Sequence, residues 1–157
     1  METAMNPLET FSSHAGQWEG SNRLHDPNTH QAEDSPMEAS LMPILGGKFL
    51  RLDYTWGYQG TPQEGFILFG VEPRIKEISL YWGDTWHMGN QILVCKGKAA
   101  SSREICVTGS YAAPPGPDWG WRIVLKADGS LVTLHMYNIT PEGQEAIAVE
   151  ALLEKMQ

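Results

Sequence analysis

The chain has 157 residues, 41% of them hydrophobic and 19% charged, with 11 Lys plus Arg against 19 Asp plus Glu and a net charge of -8. That length suits one ordinary core over residues 1–157, and the composition excludes a chain disordered throughout. No basic run gathers the cations a nucleic-acid partner demands, and no apolar run reaches the roughly 18 residues of a membrane span. The opening METAMNPLETF lacks the charged-then-apolar order of a secretory leader, so the cytoplasm is the expected compartment, with neither nucleic acid nor membrane as partner.

In the N-terminal segment 1–15, Asn6, Pro7 and Glu9 form a helix start: a capping side chain, a proline at the first turn and a carboxylate three residues past the cap. Leu8 and Phe11 share one face of this short helix, and Gly16 stops it. Trp18 then stands between Gly16 and Gly20 at the start of a strand near 16–25. Residues 25–40, HDPNTHQAEDSPMEAS, are polar, hold two prolines and show no apolar period, which predicts a mobile loop at one mouth of the fold, with a strand resuming near 37–44.

From there the period is two. In LRLDYTWGY, Leu50, Leu52, Tyr54, Trp56 and Tyr58 fall on one face and Arg51, Asp53 and Thr55 on the other. GFILFGVE (65–72), EISLYWGD (77–84), ILVCKGK (92–98), REICVTGSY (103–111), WGWRIVLKA (119–127) and SLVTLHMYNI (130–139) repeat the pattern between turn residues. Asp128-Gly129 supplies the positive φ angles of a two-residue hairpin.

The last stretch, EAIAVEALLEKM, has helical composition, yet Pro141-Glu142-Gly143 turns it straight back onto its predecessor, and it is assigned as a strand. About ten short strands with almost no helix predict an all-β, closed, antiparallel up-and-down barrel, because closure removes exposed edges. Cys95 and Cys106 flank a hairpin and could face each other across it; free thiols are the expectation for a reducing compartment.

Gly16-Gln17-Trp18 resembles the Gly-X-Trp signature at the first strand of lipocalins and their calycin relatives, which implies that the Trp18 ring seals the barrel floor. The ordered set GQWEG (16–20), LGGKFL (45–50), GFILFGVE (65–72), YWGD (81–84) and MYNITPEGQE (136–145) is similar, more closely, to an uncharacterised bacterial family of lipocalin-like barrels, domain of unknown function 1579. The Thr-Asp-Tyr turn of lipocalins is absent, as are the lid helices and Arg-X-Tyr of fatty-acid-binding relatives.

Six tryptophans and five tyrosines are the compositional oddity. Tyr54, Trp56, Trp82 and Trp121 on inward-reading faces, with His135, form the expected site for a small apolar or aromatic molecule; a core filled outright by the same rings is the competing expectation. His135 competes with Leu134 and Met136 for the inside, and facing inward it could ligate a haem iron. His87 with Asp84 forms the candidate acid–base pair of a cyclase- or decarboxylase-like barrel enzyme. His25, Asp26, His30, Glu33 and Asp34 read as a solvated acidic loop, so neither a metal nor a cofactor is expected. A dimerising structural module, with exposed edges or aromatic patches pairing two copies into a homodimer, is the remaining alternative.

Overall fold

The structure, a computed structural model, describes residues 6–157; the first five residues of the 1–15 segment lie outside the described residues. Asn6 opens α1 (Pro7–Ser12) by accepting the Glu9 amide on its side-chain oxygen at 3.0 Å, while Pro7 has no N–H to satisfy. Phe11, fully buried on the inner face of this helix, meets Phe69 edge-on with ring centroids 5.3 Å apart.

Ten strands follow: β1 (Gly16–Asp26), β2 (Gln31–Ile44), β3 (Phe49–Tyr58), β4 (Thr61–Glu72), β5 (Glu77–Asp84), β6 (Leu93–Ser101), β7 (Glu104–Tyr111), β8 (Trp119–Asp128), β9 (Leu131–Ile139) and β10 (Glu145–Lys155). Each pairs antiparallel with the next, and β1 pairs with β10, Trp18 opposite Lys155, to close the ring. The fold is therefore an all-β, ten-stranded antiparallel barrel with one short N-terminal helix. Alternation places one face of each strand inside: Leu50, Leu52, Tyr54 and Trp56 are buried while Arg51 and Thr55 are exposed.

The final segment is a strand despite its helical composition. Val149, Ala151 and Leu153 face inward opposite Met136, Leu134 and Val132, and two flanking strands outweigh local propensity. A bulge between Ile147 and Val149 shifts the alternation there and buries both Ala148 and Val149.

The loop expected over 25–40 is instead the tip of a long hairpin. β1 runs on to Asp26 and β2 begins at Gln31, with Arg23 paired to Asp34 at 2.7 Å on the solvated face. The apolar period fails because the positions in phase with Met37 carry acceptors: Ser35 Oγ takes the Gly57 amide at 3.2 Å and Glu33 Oε2 takes the Gln59 amide at 2.7 Å. Polar bonds, rather than apolar contacts, order this stretch.

Cys95 and Cys106 lie on the adjacent strands β6 and β7 but do not face each other. Cys95 points inside and is fully buried, whereas Cys106, opposite Lys98, faces out beside Arg122. Both are free, and burial pushes the Cys95 thiol up to about 12.

The barrel has two unlike ends. At the helix end Trp18 is 1% exposed, donates its indole N–H to the His14 carbonyl at 2.9 Å, and carries the Lys155 ammonium 5.6 Å from its ring centroid. Gly16 turns the chain into β1 at φ 136°, a conformation side chains resist, and a Cβ at Gly20 would collide with the Leu152 carbonyl of β10. Among the described residues no helix is long and apolar enough to cross a membrane.

Candidate functional site

Midway along the barrel, β5 ends on Asp84, a carboxylate 5% exposed. Burying it is tolerable only because its lone pairs are filled. Oδ2 accepts the Tyr54 hydroxyl at 2.7 Å and the Trp56 indole N–H at 3.1 Å; Oδ1 accepts the backbone amides of Trp86 at 2.8 Å and His87 at 2.9 Å. Trp82 extends the network by donating its indole N–H to the Tyr54 oxygen at 2.9 Å. Burial, and then the Asp84 charge, hold the Tyr54 phenol well above its ordinary range, so it stays a donor. Gly65 makes room for that hydroxyl, since a Cβ there would strike it.

The two backbone bonds fold the chain after β5 back over the barrel and set His87 among four indoles. Its ring centroid lies 4.7 Å from Trp86, 5.3 Å from Trp82, and 5.7 Å from both Trp56 and Trp121. Desolvation by these rings drives the imidazole down to about 4, against a small opposing pull from Asp84, so it is neutral at pH 7. Asp84 grips the backbone of His87 rather than its ring, and the expected acid–base pair is not assembled.

Below this layer the interior is filled. The void among Asn22, Met37, Tyr54, Trp56 and Leu134 is about 10 Å³, too small for a ligand. Above it the barrel opens. A cavity of about 430 Å³ at the mouth is walled by Trp86, His87, Tyr111, Trp121 and Asn138, with Asp26 at its edge. A second of about 290 Å³ lies against Trp82, His87, Met88, Leu93, Tyr111 and Trp121. His87, Tyr111 and Trp121 border both. Trp121 stacks on Trp82, centroids 5.2 Å apart and planes 10° from parallel.

Polar groups at the rim are fixed by one another. Tyr111 donates to Asn138 Oδ1 at 2.5 Å, and Tyr58 donates to Asp26 at 2.7 Å. Burial raises the Asp26 carboxyl, but bonds from Tyr58 and from the amides of Asn28 and Thr29 outweigh it and leave it below the usual range.

The structure brings Tyr54, Trp56, Trp82 and Trp121 together, but of these Trp121 and Trp82 border the two mouth cavities, while Tyr54 and Trp56 serve the Asp84 network beneath them. His135 is not with them. Val132, Leu134 and Met136 take the inward positions of β9, so His135 faces outward beside Arg23 and Glu150, where it cannot reach a haem inside the barrel. Trp86, Tyr111 and Asn138 were not singled out by sequence. Their one signal is position: each lies at or just past a strand end on the barrel's helix-free side.

The chain is thus a closed ten-stranded antiparallel barrel with an indole at one end and an aromatic mouth at the other. The chain belongs to the family DUF1579, described as proteins of unknown function, which it matches over residues 4–155. Among solved structures it is similar to Rv2717c from M. tuberculosis, at 15% identity and a TM-score of 0.69, over 99% of this chain and 100% of that one. This likeness is one of fold. No curated protein matches the sequence.

Proposed function

We propose that the protein binds a small aromatic or apolar molecule, without catalysing its conversion, at the open end of the barrel. The observation that carries this reading is the cavity of about 430 Å³ walled by Trp86, His87, Tyr111 and Trp121 above a filled interior. Pockets of this size and lining suit one compact ring system. Burying such a ring against indole faces contributes a few kcal/mol at ~25 cal/mol per Å². Supporting a binding role over an acid–base one, the Asp84 oxygens are committed to four donors. A cytoplasmic location is part of the proposal and is supported by the two free cysteines.

Titration with a chemically broad panel of aromatic compounds, followed by tryptophan fluorescence, tests it. Saturable quenching that weakens in Tyr111→Ala is expected. No response across the panel, together with a crystal structure whose mouth is filled by its own side chains, would overturn it.

A further inference from the structure

The chemical class of the ligand can be narrowed from one atom. Every indole N–H in the network below the mouth is satisfied: Trp82 reaches Tyr54 and Trp56 reaches Asp84. Trp121 is 7% exposed, and its Nε1 is the buried side-chain nitrogen among the described residues that has no hydrogen-bond partner. Leaving such a donor unpaired carries its full desolvation cost, which folded proteins otherwise avoid. The orphan belongs to the one indole that borders both cavities.

Charge narrows the class further. No lysine or arginine borders either cavity among the described residues, and the charged group at the larger one is Asp26, with a carboxyl held below its usual range. Arg122, the guanidinium nearest in sequence to Trp121, faces outward on Tyr137 and is bonded to Glu145 at 2.6 Å. At the rim His25 is engaged by Glu150 at 2.6 Å, leaving His30 as the remaining basic side chain there. A carboxylate or phosphate entering the mouth would lose its hydration, face Asp26 and find no fixed counter-charge. The walls themselves are flat: Trp121 is stacked on Trp82 on one side, with the His87 imidazole tilted 57° to it.

Resting on the binding reading above, we propose that the ligand of this mouth is a neutral, planar ring bearing a carbonyl oxygen or a ring nitrogen that accepts the Trp121 indole N–H. The ring lies against the aromatic wall, and the His87 side chain, which borders both cavities and packs on Trp121, shifts to admit the acceptor. Aliphatic chains lack the acceptor and aromatic acids carry the wrong charge.

Three probes of one shape separate the possibilities by equilibrium dialysis at pH 7: quinoline, which has a ring nitrogen and is neutral there, naphthalene, which has no acceptor, and 1-naphthoate, which is anionic. Trp121→Phe is expected to weaken quinoline about 5- to 10-fold while leaving naphthalene within 2-fold, and 1-naphthoate to bind at least 10-fold more weakly than quinoline to the parent. In the parent, quinoline and not naphthalene is expected to move one indole N–H peak downfield in a nitrogen–proton correlation spectrum, a readout independent of the variant's folding. Should naphthalene bind and quinoline lose nothing in Trp121→Phe, or should both probes weaken in parallel, the acceptor inference is overturned while the aromatic pocket stands. Binding of 1-naphthoate as tight as quinoline overturns it equally. If none of the three binds, and the broad panel is silent as well, both readings fall.

Discussion

The two ends of the barrel use the same residue to opposite effect. At the helix end Trp18 is buried with its N–H bonded to His14, under Lys155. At the open end Trp121 is nearly as buried, yet its N–H is unpaired and the residue borders two cavities. A satisfied, buried indole is architecture; an unsatisfied one beside an empty space is a recognition element waiting for its partner. Between them the Asp84 network isolates one end from the other.

Substitutions can break this contrast in order of size. Trp18→Ala removes the floor plug and is expected to cost about 3–5 kcal/mol in urea unfolding, the largest single effect, because the surrounding ring of strands cannot collapse into the void. Asp84→Ala strips the acceptor from Tyr54, Trp56 and two backbone amides. It should cost about 3 kcal/mol and loosen the His87 segment, visible as faster amide exchange at Trp86 and His87.

A pH dependence follows from His87. Its folded value of about 4 lies under the ordinary 6.5, so the unfolded chain takes up the proton first. The associated stability is complete above pH 6.5, declines as pH falls toward 4, and is gone below that, on the order of 3 kcal/mol in total. The difference in urea midpoint between the parent and His87→Gln, followed from pH 7 to 4, should show the parent losing more; parallel curves would mean that the imidazole is not desolvated.

The smallest effect sharpens the comparison most. Trp18→Phe should cost about 1 kcal/mol more than Trp121→Phe, since only the first substitution discards a made hydrogen bond. Equal costs would erase the distinction between the two indoles.

The barrel was legible in the sequence because inside and outside differ chemically at every second residue, and turn residues punctuate the strands. The Gly-X-Trp floor was legible only through the resemblance to lipocalins, and the structure supplies its physical reason: Gly16 takes a positive φ and Gly20 a close backbone approach that other residues refuse. The hairpin tip at 26–31 was not, since its order comes from Ser35 and Glu33 accepting the amides of Gly57 and Gln59, which no periodicity reports. The orientation of His135 was ambiguous locally and was settled by Leu134 and Met136 packing against β10. The site was half legible. The aromatic strand positions were visible, but which of them border space depends on how far down the barrel each lies, and on Asp84 holding Trp86 and His87 over the top. All ten strands of the ring have two neighbours, and Ile92 and Val94 are exposed on its outer surface.

The junction of β1 with β10 has a consequence for how the molecule comes together. Nine of the ten strand pairings join neighbours along the chain, each a hairpin that can form while distant segments are still random. The tenth couples Trp18 to Lys155, almost the full contour apart, and joins the segments most distant in sequence. Until that seam zips, the curved sheet has two raw margins and its tryptophan floor is open to water. Refolding of this ring is thus expected to show fast local phases followed by a slower one in which the Trp18 fluorescence reaches its native value.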